Sequence, residues 1–258
     1  MPANKPTQEH PLANILINVL IPVVILSYLS KDPALQEQLG KTARFWHIGP
    51  LKAMILALIL PLGYGIWHFI QTRKGNFFSA LGLVSVLLTG GLTLYLWNKD
   101  GSVKPNAAWF FAIKEAMIPL ILGIAVLTSH RTPTPLIRTF LYNDSFFDIP
   151  KIETRIDSLS AQPAYADLLR NATLMFASSF FLSSLMNLAV VHWFFRGFNA
   201  TAPDALEVYN QLVGKITGYS FLVIGVPIML FLFLTLRKLV KGLQSLTGYT
   251  EDELMLPR

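Results

Sequence analysis

Six long apolar runs limit what this chain can fold into: residues 13–30, 48–70, 77–97, 108–129, 171–195 and 216–236. Each reaches or approaches the ~20 residues that carry a helix across about 30 Å of hydrocarbon. Lipid offers the backbone no hydrogen-bond partners, so runs of this kind close their bonds internally as helices. The pattern predicts an all-α fold, a polytopic transmembrane helical bundle of six spans, organised as a single integral membrane domain over residues 1–258. Composition agrees: 53% of the residues are hydrophobic and 14% charged, against roughly 25% charged in a soluble domain. An ordinary globular enzyme, a disordered chain and a coiled coil are thereby excluded. The chain has no cysteine, which removes disulfides, thiolate metal sites, iron–sulfur clusters and cysteine nucleophiles. The first run is long and no small-residue cleavage site follows it, so it reads as a retained helix rather than a signal peptide.

Charge orients the spans. Of 21 Lys/Arg and 15 Asp/Glu residues, only Lys52, Lys114 and Glu115 fall inside an apolar run. Six crossings put both termini on one side. That side holds 12 basic residues, grouped around Lys5, Arg73, the 130–170 loop and the 237–258 tail, and the opposite side holds 7. The excess predicts cytoplasmic N- and C-termini, with a cytoplasmic loop at 130–170 and a cytoplasmic tail at 237–258. All five tryptophans comply with an interfacial belt: Trp46, Trp97, Trp109 and Trp193 fall at outer span ends and Trp67 at an inner one. The net charge of +6 is therefore topological, and no nucleic-acid partner is expected; the lipid bilayer is the expected surroundings.

Within the 130–170 loop, Thr134 can cap a helix opened by Pro135. Leu136, Ile137, Phe140 and Leu141 then share one apolar face. That face suits a helix lying on the inner membrane surface, or a short helix packed against the bundle ends. In the tail, Thr250 and Glu253 have capping-box spacing. No nucleotide-binding glycine loop, metal-spaced histidine set or nucleophile elbow is present, so no catalytic residue, metal or cofactor is assigned.

Function then rests on polar residues inside the membrane, which are costly there and face the bundle interior. Asn14, Asn18 and Pro22 share a face of span 1, and Pro22 leaves the Asn18 carbonyl without its helical donor. They either bond neighbouring helices or line a polar pathway. In span 4, Lys114 and Glu115 diverge by ~100° and each needs its own partner. Lys114 lies about six residues, or ~9 Å, from the outer end, within snorkelling reach; Glu115 is shorter and harder to accommodate. Ser179, Ser183 and Asn187 form one stripe of span 5, suited to close helix packing or to a polar lining. His68 and His192 stand beside belt tryptophans and read as interfacial. Superimposing Pro22 on Pro119 aligns Asn18 with Glu115 in spans that run in opposite directions, as an inverted repeat of spans 1–3 and 4–6 would require.

Several stretches together carry a resemblance. Gly90-Gly91-Leu92-Thr93-Leu94 closes span 3, Lys114 stands near the start of span 4, and Pro135-Leu136-Ile137 opens the inner loop. Asn171 precedes an aromatic-rich span containing Asn187, and Tyr209-Asn210 and Lys215-Ile216-Thr217-Gly218 lead into the last span. Over roughly residues 13–240 the chain resembles the bacterial intracellular septation protein A family, in a branch with a longer inner loop and tail. That resemblance implies a multi-pass protein of the bacterial inner (plasma) membrane linked to cell-envelope maintenance and septation. It implies no established catalytic chemistry. It further implies that Lys114, Asn187 and Lys215 hold the bundle together or line its interior. The stretch 143–167 departs from the family in length. The expected function is a non-enzymatic one, support of cell-envelope or septum biogenesis through membrane-protein partners or a homo-oligomer. The alternative is a small transporter or channel with Asn14, Asn18, Glu115, Ser183 and Asn187 around a polar intramembrane cavity.

Overall fold

The computed structural model describes residues 16–256 except 39, 73–76, 99–101, 131, 133 and 134. Among the described residues the regular structure is helical, apart from two isolated bridges, Trp97 with Val103 and Phe147 with Met255. Helix α1 covers residues 16–29 as a π turn (Leu16–Leu20), an α turn (Ile21–Val24) and a second π turn (Ile25–Leu29). The wider turns flank Pro22, which lacks the amide that an unbroken α-ladder needs at that point. The remaining helices are α2 (Pro33–Gln38), α3 (Pro50–Thr72), α4 (Phe77–Leu96), α5 (Ala107–Ser129), α6 (Leu136–Phe140), α7 (Ile149–Ser158), α8 (Gln162–Phe194), α9 (Ala205–Val223), α10 (Gly225–Thr247) and α11 (Glu251–Leu254).

Four described stretches are long and apolar enough to cross a membrane: Pro50–Trp67, Ala107–Ser129, Gln162–Phe194 and Ala205–Thr247. The chain is a helical membrane protein. Two expected spans fall short of that measure. The first begins outside the described residues, and in the third the described apolar stretch is Leu87–Leu96. The longest stretch joins α9 and α10, which part only at Ile224. Pro227 explains the break: it cannot donate to the Val223 carbonyl, and regular bonding resumes with the Ile228 N–H on the Ile224 carbonyl at 3.1 Å. Pro61 and Pro119, in contrast, lie within unbroken α3 and α5.

The chain divides into two compact units, Met1–Lys114 with Asn187–Leu222, and Glu115–Met186 with Val223–Arg258. In the first unit α3 packs along α4 and α1. Small residues allow close approach, the usual basis of helix association in lipid. A Cβ on Gly214 would stand 3.0 Å from the Leu26 Cβ and 3.3 Å from the Val23 carbonyl oxygen, so α9 meets the α1 backbone directly there. An aromatic group closes one end of the same core: Phe111, Phe195, Phe198 and Tyr209, with ring centroids 5.3–6.4 Å apart.

The second unit has a core of its own. Ile152 and Ile156 of α7, Ile137, Tyr142 and Phe147 pack with Leu239 and Leu243 of α10 and with Leu254 of α11. Helix α7 starts where Asp148 accepts from the Lys151 N–H at 3.2 Å. Helix α6 resolves the two readings of its apolar face in favour of packing. Ile137 is 1% exposed, and Leu136 and Phe140 lie against Val126, Phe176 and Ala177. Thr134 lies outside the described residues; the Leu136 N–H donates to the Ser129 hydroxyl at 2.9 Å.

The tail is held onto α7 by pairs far apart in sequence. Lys151 Nζ donates to the Glu253 carbonyl at 2.8 Å, the Asp148 N–H to the Leu254 carbonyl at 3.0 Å, and Arg155 Nε to the Thr247 carbonyl at 3.1 Å. The expected capping box forms, with the Thr250 N–H donating to the Glu253 carboxylate at 2.8 Å. That bond holds the Glu253 carboxyl below the usual range. Beside the tail, the Tyr165 hydroxyl donates to the Tyr142 hydroxyl at 3.1 Å, and burial followed by this bond pushes the Tyr142 hydroxyl well above its ordinary range.

Candidate functional site

Lys114 is the cation that the sequence placed deepest in a span. Its ammonium donates to the Thr89 hydroxyl at 2.8 Å and lies 5.1 Å from the Phe111 ring centroid. Thr89 passes the bond on, donating to the Ser85 carbonyl of α4 at 2.8 Å, and Thr93 donates to the Thr89 carbonyl at 2.9 Å. Threonines in α4 thus bond back to their own helix while Thr89 offers its lone pairs to α5. A helix-interior lysine costs about 2.5–3.5 kcal/mol at the centre of a bilayer, and an acceptor together with an aromatic face offsets part of that.

The other expected residues fall in several places. Asn187 is half-buried and Lys215 exposed, both in the first unit with Lys114. Glu115 and Ser183 are half-buried in the second unit. Asn14, and the side chains of Asn18 and His68, lie outside the described residues. Next to Ser183, buried Ser184 donates to the Ala116 carbonyl at 2.9 Å and so joins α8 to α5. Ser179 is also buried but bonds within its own helix, to the Phe176 carbonyl at 2.7 Å.

A second polar group, which sequence reasoning missed, lies in the first unit near the starts of α2, α3 and α9. Glu207 is 6% exposed. Gln36 Nε2 donates to both of its oxygens, at 3.1 and 3.3 Å, Gln211 Nε2 donates at 3.1 Å and the Asp32 N–H at 3.4 Å. Asp32 in turn opens α2, accepting from the Ala34 and Leu35 amides at 3.0 and 3.2 Å. Asn210, one turn beyond Glu207, donates to the Pro50 carbonyl at 2.8 Å and ties α9 to the start of α3. The Asn210 Oδ1 and the Ser30 hydroxyl are buried with no hydrogen-bond partner. His47 is buried as well; desolvation, then the charges of Lys31 and Arg44, lower its pKa. Its Nδ1 accepts from the Arg44 N–H at 3.2 Å.

Around these side chains is a cavity of about 710 Å³, lined by Asp32, His47, Lys52, Trp97, Asp204 and Glu207 among others. The signal that could have found it is Pro203-Asp204 followed by Glu207, an acid before a helix and another three residues on. It was hidden because the last apolar run starts only at 216, whereas α9 starts at Ala205.

Among the described residues no three His, Asp or Glu side chains are grouped to hold a metal ion. A scan against protein-family models gave no match, and neither did searches of curated proteins and of solved structures.

Proposed function

We propose that this chain is a six-span protein of the bacterial inner membrane, with both termini cytoplasmic, that supports cell-envelope or septum biogenesis through membrane partners rather than by catalysis. The observation that carries this reading is the engagement of polar side chains between helices. Lys114 is bonded to Thr89 across α5 and α4, and Ser184 to Ala116 across α8 and α5. Groups used in this way stabilise a bundle. The motifs from Gly90 to Gly218 that resemble the septation protein A family supply the envelope context.

The test pairs transport with phenotype. Proteoliposomes of the purified chain are expected to dissipate proton and potassium gradients no faster than empty vesicles. Cells depleted of the protein are expected to show altered length or envelope permeability, restored by the Glu115→Gln variant at wild-type expression. Flux through the wild-type protein that Glu115→Gln abolishes would replace this reading with that of a small transporter.

A further inference from the structure

The cavity beside Glu207 carries both signs of charge, on different elements. Asp204 and Glu207 stand at the start of α9, and Lys52 lies in the first turn of α3. We propose that this cavity binds the headgroup of a zwitterionic, amine-bearing phospholipid, with its ammonium on Asp204 and Glu207 and its phosphate on Lys52 and the start of α3.

Position argues for a lipid. The apolar stretch of α3 begins at Pro50, so its first turn lies where hydrocarbon gives way to headgroups. Trp97, which also lines the cavity, follows the end of α4, a usual place for an interfacial aromatic. Leu51 and Ile48 extend the lining with apolar surface suited to the first carbons of acyl chains.

Charge argues for a zwitterion. The hydrogen-bond donors to Glu207 are amides, all uncharged. Lys31 acts on it only as a neighbouring charge, and Asp204 adds a second negative one. An ammonium brings three N–H donors to such a place. On α3 the preference is reversed. A 23-residue helix points its free amides and the positive end of its dipole toward its start, and Lys52 adds a full charge. His47, whose Nδ1 accepts from the Arg44 N–H, lines the cavity beside the start of α3 in sequence. A simple amine leaves the α3 side unmatched, and a simple anion meets three carboxylates, those of Asp32, Asp204 and Glu207; a headgroup with both charges satisfies both.

Native mass spectrometry of the full chain in detergent, titrated separately with phosphatidylethanolamine and phosphatidylglycerol, tests this. Phosphatidylethanolamine is expected to bind at least tenfold more tightly, the worth of about one charge-assisted bond. Asp204→Asn and Lys52→Gln are each expected to weaken it about tenfold. Asp204 is half-buried and Lys52 exposed, so both variants should keep the wild-type melting temperature in lipid-free detergent. Glu207→Gln is avoided because it also loosens the hold on α2. If either variant fails to fold, the other decides. Equal binding of the two lipids overturns the proposal, and so does phosphatidylethanolamine affinity left intact by a folded variant.

Discussion

At the scale of single residues, Lys114 shows how a charge is kept inside an apolar helix. Thr89→Val removes the acceptor and leaves the ammonium with one partner fewer, a loss of about 1–2 kcal/mol. Lys114→Met removes the need for that acceptor, so Thr89→Val should cost far less in its background. A double-mutant cycle followed by unfolding in mixed micelles should give a coupling of about 1 kcal/mol. A coupling near zero would separate the two side chains energetically. The sequence singled out Lys114 because a charge in an apolar run stands out by composition alone. Thr89 did not stand out: a threonine is unremarkable in a span, and its pairing depends on how α4 and α5 align. Glu207 was missed for the opposite reason. It sits in a stretch polar enough to pass for loop, and only tertiary packing buries it against Gln36.

At the scale of elements, four of the six expected spans were legible as stretches long and apolar enough to cross a membrane, whereas their ends were not. Hydropathy marks where lipid begins and ends, but a helix continues wherever its backbone bonds continue. So α8 starts at Gln162 and α9 at Ala205, well before the apolar runs at 171 and 216. Helix α7 left a readable trace, with Ile149, Ile152 and Ile156 at helical spacing after Asp148 and with Pro150 in the first turn. Its partners could not be read, since Leu243 and Leu254 come some ninety residues later. Close packing of α1 on α9 makes a sharp prediction. Gly214→Val forces a branched side chain against Leu26 and the Val23 carbonyl and should destabilise by about 1–3 kcal/mol. Gly91→Val, where an added Cβ meets nothing within 4 Å, should stay within about 0.5 kcal/mol. Melting temperatures in detergent distinguish them, and equal losses would place α1 elsewhere.

At the scale of the whole molecule, the proposed orientation can be checked directly because the chain has no cysteine of its own. Phe45 is 93% exposed and Glu251 is exposed. In intact spheroplasts a membrane-impermeant maleimide is expected to label Phe45→Cys but not Glu251→Cys, and to label both after permeabilisation. The reverse pattern would invert the topology. The second unit also places a constraint on synthesis. Lys151 and Glu253, which bond to each other, are 102 residues apart. At about 5–20 residues per second, roughly 5–20 s separate the emergence of α7 from that of the segment that covers it. Throughout that interval Phe147, Ile152 and Ile156 have no Leu254 to pack against, while two further apolar stretches are still leaving the ribosome. The core of the second unit is therefore finished last, after the apolar stretches have been made, and a nascent chain halted before Gly248 offers a chaperone the surface that the completed one hides.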